Sequence, residues 1–214
     1  TVLGVVVMAM LAYPLSRPNY KYKKIATFFI FFTMLFSGGL IPTYIWITRY
    51  LHLGDTIWVY ILPCLVNAFH VIVIRSFFQG LPQALMESAK IDGASELQTF
   101  FKIVMPLSKP VIATISLLTL LSRWNDWNTA LIYIKSSNLY SLQYLLQKIL
   151  REAEFVKNMA DSSPVAGMDL DLSNLPSVTI RFAMCMVAAG PMLIIFPFFQ
   201  KYFAKGLTVG AVKG

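Results

Sequence analysis

Two groups of polar residues interrupt otherwise apolar stretches, and their spacing invites chemistry. Asn67 and His70 stand three apart, so on a helix they share one face. Their amide and imidazole can donate to and accept from a hydroxyl-rich solute, or hydrogen-bond to a neighbouring helix. The second group is the run Arg123, Trp124, Asn125, Asp126 and Trp127. Arg123 and Asp126 can pair and spare each other an isolated charge in a low dielectric. Indole faces of Trp124 and Trp127 can stack on a cyclic solute or anchor at a lipid interface, and the anchoring role is favoured. Nothing here assembles a catalyst. There are two histidines, His52 and His70, and two cysteines, Cys64 and Cys185, both within apolar runs. No phosphate-binding glycine loop or metal-ligand spacing occurs, so no cofactor or metal is expected on this chain.

The elements carrying these residues are apolar enough to lie in lipid. The 214 residues are 57% hydrophobic and 13% charged, about half the charge of an ordinary soluble domain. Mean hydropathy is +0.65. A crossing helix needs about 20 mostly apolar residues. Five candidates follow: a partial run over 1–15, then 25–47, 57–78, 111–134 and 178–199. Gly38, Gly39 and Pro42 should kink or break the outer end of the second. Lipid offers backbone groups no partner, so each span must be helical. The expected fold is an all-α, polytopic transmembrane bundle.

The net charge of +8 does not point to nucleic acid, because the basic residues fall in short stretches between spans. Arg17, Lys21, Lys23 and Lys24 lie between spans one and two. Lys90, Lys102 and Lys109 lie between three and four, and Lys201, Lys205 and Lys213 follow span five. Alternating spans put all three stretches on one side, which the positive-inside rule makes cytoplasmic. The outer connection, 135–177, holds four basic and five acidic residues. Leu142, Leu145, Leu146, Ile149 and Leu150 give it a helix-like apolar face. A structured cap and a docking surface for an external partner are both compatible with that pattern.

Residues 79–110 are the most informative. Leu81-Pro82 opens a helix, and Asp92-Gly93 ends it in a left-handed stop. Ser95 and Gln98 form a capping box for a second helix. Phe100, Phe101, Ile103 and Val104 continue it, and Pro106 and Pro110 interrupt the approach to span four. Leu81, Leu85, Met86, Leu97 and Phe100 can cover the inner ends of the spans or enter a groove on a partner.

This segment resembles the EAA loop of permeases in type I ATP-binding-cassette (ABC) importers. Glu87-Ser88-Ala89 is followed after three residues by Gly93, and after nine more by Ile103-Val104-Met105-Pro106. Ser88 and Met105 replace the usual Ala and Leu, both small changes in volume. Asp92, Ala94 and Phe100 fit the fuller pattern. "AYPLSRP" (12–18), "WNDW" (124–127) and the ending "FFQKYFAKGLTVGAVKG" resemble the maltose-type, oligosaccharide-importing branch, so the resemblance covers the whole chain.

That resemblance implies one permease domain over 1–214 with the type I importer (MetI-like) fold, whose first span and part of the second precede Thr1. Residues 80–107 would be the cytoplasmic coupling loop and 135–177 an extracytoplasmic loop reaching toward a solute-binding protein or lipoprotein. The coupling residues would be Glu87, Ser88, Ala89, Asp92, Gly93, Ala94, Phe100 and Pro106. Asn67, His70, Trp124, Asn125 and Asp126 are pathway candidates for a carbohydrate. The implied partners are a second homologous permease, two ATPase subunits that use ATP and Mg, and membrane lipid. The implied location is the bacterial cell membrane, with the C-terminus cytoplasmic. The chain itself would hydrolyse nothing. A permease for an amino acid or metal, and an uncoupled scaffold or channel, are the alternatives.

Overall fold

The computed structural model describes residues 1–162 and 177–211, and among the described residues every regular element is a helix and no strand occurs. Helix α1 covers Val2–Ser16 and α2 Lys23–Leu35. Helix α3, Leu40–Ile45, runs into a π-helical turn at Trp46–Tyr50. Helix α4, Trp58–Ile61, runs into a 3₁₀ turn at Leu62–Cys64, and α5 covers Ala68–Gln79. A hairpin follows. It consists of α6, Gln83–Ile91, and α7, Glu96–Thr99, the latter continuing through a π turn at Phe100–Val104 into α8, Met105–Leu107. Helix α9 covers Lys109–Trp124, α10 Asn128–Tyr133, α11 Leu142–Ser162 and α12 Ser177–Ala211. Part of the outer connection, 163–176, and Lys213 with its orientation signal lie outside the described residues.

The expected helical class holds, but three expected spans are broken. Residues 25–47 break where Gly38 and Gly39 stand, as their positions allow: α2 and α3 meet at 113° across residues 36–39. Residues 57–78 split at 65–67 with a 46° bend. Pro63 lacks an N–H to extend the first half. The Asn67 side chain accepts from the His70 backbone N–H at 3.1 Å and starts the second half. Residues 111–134 do not form one helix either. Helix α9 ends at Trp124, and the Asp126 carboxylate accepts from Thr129 N–H and Oγ1 at 3.0 and 2.7 Å at the start of α10. At the second and third breaks a side-chain oxygen, of Asn67 or Asp126, takes up an N–H that the start of the next helix leaves unpaired.

Among the described residues, one stretch is long and apolar enough to cross a bilayer unaided, Phe182–Gln200 of α12. Helix α9, with 16 residues, is about 24 Å long, short of the roughly 30 Å hydrocarbon layer.

Helix α1 packs along α5, α2 also leans on α5, and α12 runs along α9. The main apolar core joins Met8, Ala9 and Ala12 of α1 to Val71, Ile74 and Phe78 of α5 and Ile115 of α9. It continues into the hairpin through Met86, Phe100 and Val104. Gly4 lets α1 approach the break before α5, since a Cβ there would sit 3.2 Å from the Leu65 carbonyl oxygen. A second, smaller cluster is built from Ile47, Val59 and Ile134 at the opposite end, with Tyr60, Tyr133 and Tyr140 packed on it.

Candidate functional site

The hairpin forms as its local sequence requires. Gly93 has φ +76°, a left-handed conformation that residues with a Cβ adopt at a cost. Around it Asp92 N–H bonds to the Ser88 carbonyl, Gly93 N–H to Lys90 and Ala94 N–H to Ala89, which satisfies the last carbonyls of α6. The expected capping box is present: Gln98 N–H donates to Ser95 Oγ at 3.2 Å, and Ser95 N–H to Gln98 Oε1 at 2.9 Å.

The hairpin has two faces of different character. Met86, Ala89 and Phe100 are buried against the bundle. On the opposite face of α6 stand Ser88 and Ile91, the latter 86% exposed, and exposed Glu87 lies between the two faces. Leu97 (63%), Leu85 and Phe101 extend this uncovered apolar surface. Of the eight expected coupling residues, then, Ala89 and Phe100 anchor the hairpin. Glu87, Ser88, Asp92, Gly93 and Pro106 are exposed, and Ala94 is half-buried. Glu87 makes no ion pair among the described residues.

A polar joint that sequence reading missed fastens the hairpin to α1. The Tyr13 hydroxyl donates to Glu96 Oε2 at 2.7 Å, and its ring meets Phe100 at 5.2 Å. The Arg17 guanidinium lies over the Tyr13 ring at 4.4 Å and donates to the Tyr13 hydroxyl and the Met86 sulfur. Lys90 reaches Glu96 at 2.8 Å. Lys90 first and Tyr13 second hold the Glu96 carboxyl below the ordinary carboxylate value. These residues border a cavity of about 550 Å³ that also touches Met10, Glu87 and Leu97. Arg17 stood out only as a basic loop residue, and Tyr13 lies 83 positions from its partner; no local pattern links them.

The five pathway candidates are not gathered into one cavity. Asn67 is exposed and caps α5. His70 Nδ1 lies 3.4 Å from Thr119 Oγ1. Trp124 Nε1 donates to the Ala188 carbonyl at 2.8 Å, tying α9 to α12. Asn125 turns back on its own helix, donating to the Leu121 carbonyl. The expected Arg123–Asp126 pair is present at 3.6 Å, and Asp126 borders a cavity of about 250 Å³ with Tyr60, Cys64 and Thr119. Trp127 lies under the Arg151 guanidinium at 5.2 Å.

At the far end, one carboxylate organises the outer loops. Asp55, at φ +54°, accepts from Lys135 N–H at 2.9 Å and from Ser136 N–H at 2.8 Å and Oγ at 2.6 Å. Its own N–H donates to the Tyr133 carbonyl, and Tyr60 hydroxyl donates to the Leu139 carbonyl at 2.9 Å. Ser136 and Lys135 hold the Asp55 carboxyl below its usual value. Helix α11 follows directly and confirms the expected helix in the outer connection, with Leu142, Leu145 and Ile149 left exposed.

The chain is similar in sequence and in fold to known proteins. The chain is 41% identical over its whole length to a polygalacturonan/rhamnogalacturonan transport system permease protein of Bacillus subtilis, covering 72% of that relative. It is 34% identical to an arabinooligosaccharides transport system permease protein of the same organism, covering all of this chain and 69% of that one. The structure superposes, with TM-score 0.79 and 29% identity, on a bacterial ABC transporter involved in import of the acidic polysaccharide alginate, covering 95% of this chain and 70% of that one. The family described as binding-protein-dependent transport system inner membrane components matches residues 4–209, and with the hairpin's elbow, box and two-faced helix it is the family to which this chain belongs.

Proposed function

We propose that the chain is one of two permease subunits of an ABC importer for an oligosaccharide, and that it is moved by ATPase subunits gripping the exposed face of α6. The observation that carries this reading is the hairpin itself. One face is buried in the main core, and the other presents Glu87, Ser88, Ile91 and Leu97 to a partner. Apolar residues at helical spacing are what a groove on another protein takes up. The relatives' names, which concern polygalacturonan/rhamnogalacturonan and arabinooligosaccharides, suggest the solute class. Uronate-containing oligomers are the first class to assay.

In this reading the chain performs no chemistry of its own. ATP and Mg are used by the partner subunits, and an extracytoplasmic binding protein delivers the solute. Closure of the two ATPases would draw the docked hairpins together. Phe100 and Met86 would carry that displacement into α5, and the Tyr13–Glu96–Arg17 joint would carry it into α1. The two helices are packed along each other, so they would tilt as one body. The hairpin side, with Arg17, Lys23, Lys24 and the C-terminus, would be cytoplasmic in a multi-pass subunit. Asp55, Ser136 and α11 would face outward, where α11 would meet the binding protein. Asn67 and Asn125, both exposed on this chain, are the candidates to line a pathway shared with the second permease. The amino-acid and uncoupled-channel alternatives find no support among these relatives.

The test is transport by the assembled importer in proteoliposomes loaded with ATP. Labelled uronate oligomers should accumulate with wild-type chain, and Glu87→Arg should abolish both accumulation and co-purification of the ATPases. Retention of the ATPases together with normal uptake by that variant would refute the docking assignment. Accumulation of another solute class alone would refute the carbohydrate assignment while leaving docking intact.

A further inference from the structure

A further cleft, of about 790 Å³, opens between α2 and α5 on the side of the molecule where the hairpin emerges. Lys23, Lys24 and Arg75 line one end, and Phe28, Phe31 and Ile72 the rest. Arg75 is fixed there, because its Nε donates to the Leu15 carbonyl at the end of α1 at 3.0 Å. None of the three cations is paired with a carboxylate among the described residues. The sequence explains why: its first acidic residue is Asp55 and its second Glu87, and Asp55 is engaged at the opposite end of the bundle. A cleft this size, lined by three positive charges and no negative one, is complementary to an anion.

The order of residues along the helices specifies more than an anion. Phe28 and Phe31 follow Lys24 by one and two turns, about 6 and 11 Å further from the hairpin end. Ile72 precedes Arg75 by one turn, so it too lies on the far side of the cations. Charge at one end and aromatic and aliphatic walls at the other fit an amphiphile whose anionic head lies level with the cytoplasmic ends of the helices. Free phosphate would use the cations and leave the apolar walls wet. Basic pockets between transmembrane helices on the cytoplasmic side are suited to anionic headgroups.

We propose that this cleft is a binding site for an anionic phospholipid, its headgroup phosphate held by Lys23, Lys24 and Arg75 and an acyl chain laid on Phe28 and Phe31. The proposal depends on membrane residence and not on the carbohydrate reading. The assembled importer would be purified in mild detergent, titrated with phosphatidylglycerol or phosphatidylcholine, and its retained lipid counted by native mass spectrometry. Phosphatidylglycerol should be retained over phosphatidylcholine. The double variant Lys23→Gln/Lys24→Gln should weaken retention about tenfold or more, while Lys21→Gln, a neighbouring charge outside the cleft, should leave it within about twofold. Millimolar inorganic phosphate should not displace the lipid.

Equal retention of the two lipids would overturn the proposal, as would an equal loss in Lys21→Gln, which would indicate general surface charge. Displacement by phosphate alone would reassign the cleft to a free anion. A cleft filled by protein in the assembly would retain no lipid selectively and would also refute it.

Discussion

The two ends of the molecule are fastened in opposite ways. The hairpin is continuous with the main core: Met86, Phe100 and Val104 are buried in the same cluster as Met8 of α1 and Ile74 of α5, and Tyr13–Glu96 adds a hydrogen bond to a charged acceptor. The outer loops rest on a separate cluster of Ile47, Val59 and Ile134, and are tied mainly by backbone groups converging on Asp55. Close-packed interiors transmit displacement because they do not deform continuously. A force on the hairpin is therefore delivered to α1 and α5, while the outer cap can keep its own geometry as the bundle tilts. In the proposed importer this division would give a stiff joint toward the ATPases and an independently shaped surface toward the binding protein.

Substitutions at four positions test whether the two ends are mechanically separate, and Gly93 should respond most strongly. Gly93→Val puts a β-branched residue at φ +76°, where strain costs roughly 1–3 kcal/mol, and should reduce ATP-driven uptake at least tenfold without loss of membrane insertion. Nothing lies within 4 Å of a Cβ built there, so the penalty is purely conformational. Gly93→Asn, which tolerates that region, should restore most uptake; failure to do so would implicate contact with the partner instead.

Next, Glu96→Ala removes the charged acceptor shared by Tyr13 and Lys90. A hydrogen bond to a charged group contributes about 1.5–3 kcal/mol, so uptake should fall about tenfold while ATPase binding, read by co-purification, is retained. Loss of ATPase binding as well would show that Glu96 belongs to the docking face and not to the joint.

At the outer end, Asp55→Ala strands the N–H groups of Lys135 and Ser136 and frees the start of α11. Stimulation of ATPase activity by the binding protein should drop several-fold, with basal hydrolysis unchanged. A fall in basal hydrolysis would mean that the two ends are mechanically continuous, against the division drawn here.

The smallest effect is expected for Lys90→Ala. The side chains of Lys90 and Glu96 are 57% and 55% exposed, and pairs so exposed contribute about 0–1 kcal/mol, so uptake should change less than about threefold. The pH response follows from the same carboxyl. Glu96 is held below the ordinary value of 4.5, so its ionised form is favoured in the folded chain. That contribution is complete above about pH 4.5 and is lost as pH falls through the lowered folded value. Uptake should therefore show no Glu96-dependent change between about pH 6 and 8, measured as the ratio of wild type to Glu96→Gln.

What could be read beforehand was local. The elbow at Gly93, the Ser95–Gln98 box, the Arg123–Asp126 pair and the helix beginning near Leu142 depend on residues within five positions of one another. What escaped was long-range. A run such as 57–78 has the composition of a single span, and composition does not reveal that Asn67 will cap a new helix. Likewise Tyr13 is one more apolar-run aromatic until the fold brings Glu96 beneath it. The exposure pattern of α6 was open for the same reason: Leu85, Met86 and Leu97 all looked able to face either way, and packing alone separated Met86 from the other two.

The amino-acid sequence by itself determined that this chain is helical, that it belongs in lipid, and that it bears a two-helix elbow of a particular spacing. Those properties follow from hydropathy, from the missing hydrogen-bond partners of lipid, and from backbone preferences within a few residues. The tertiary structure decided where the spans break, which face of the elbow is free, and that a tyrosine, an arginine and a glutamate join the elbow to the first helix. Such contacts depend on how distant helices pack, and the chain order of residues does not encode that packing locally.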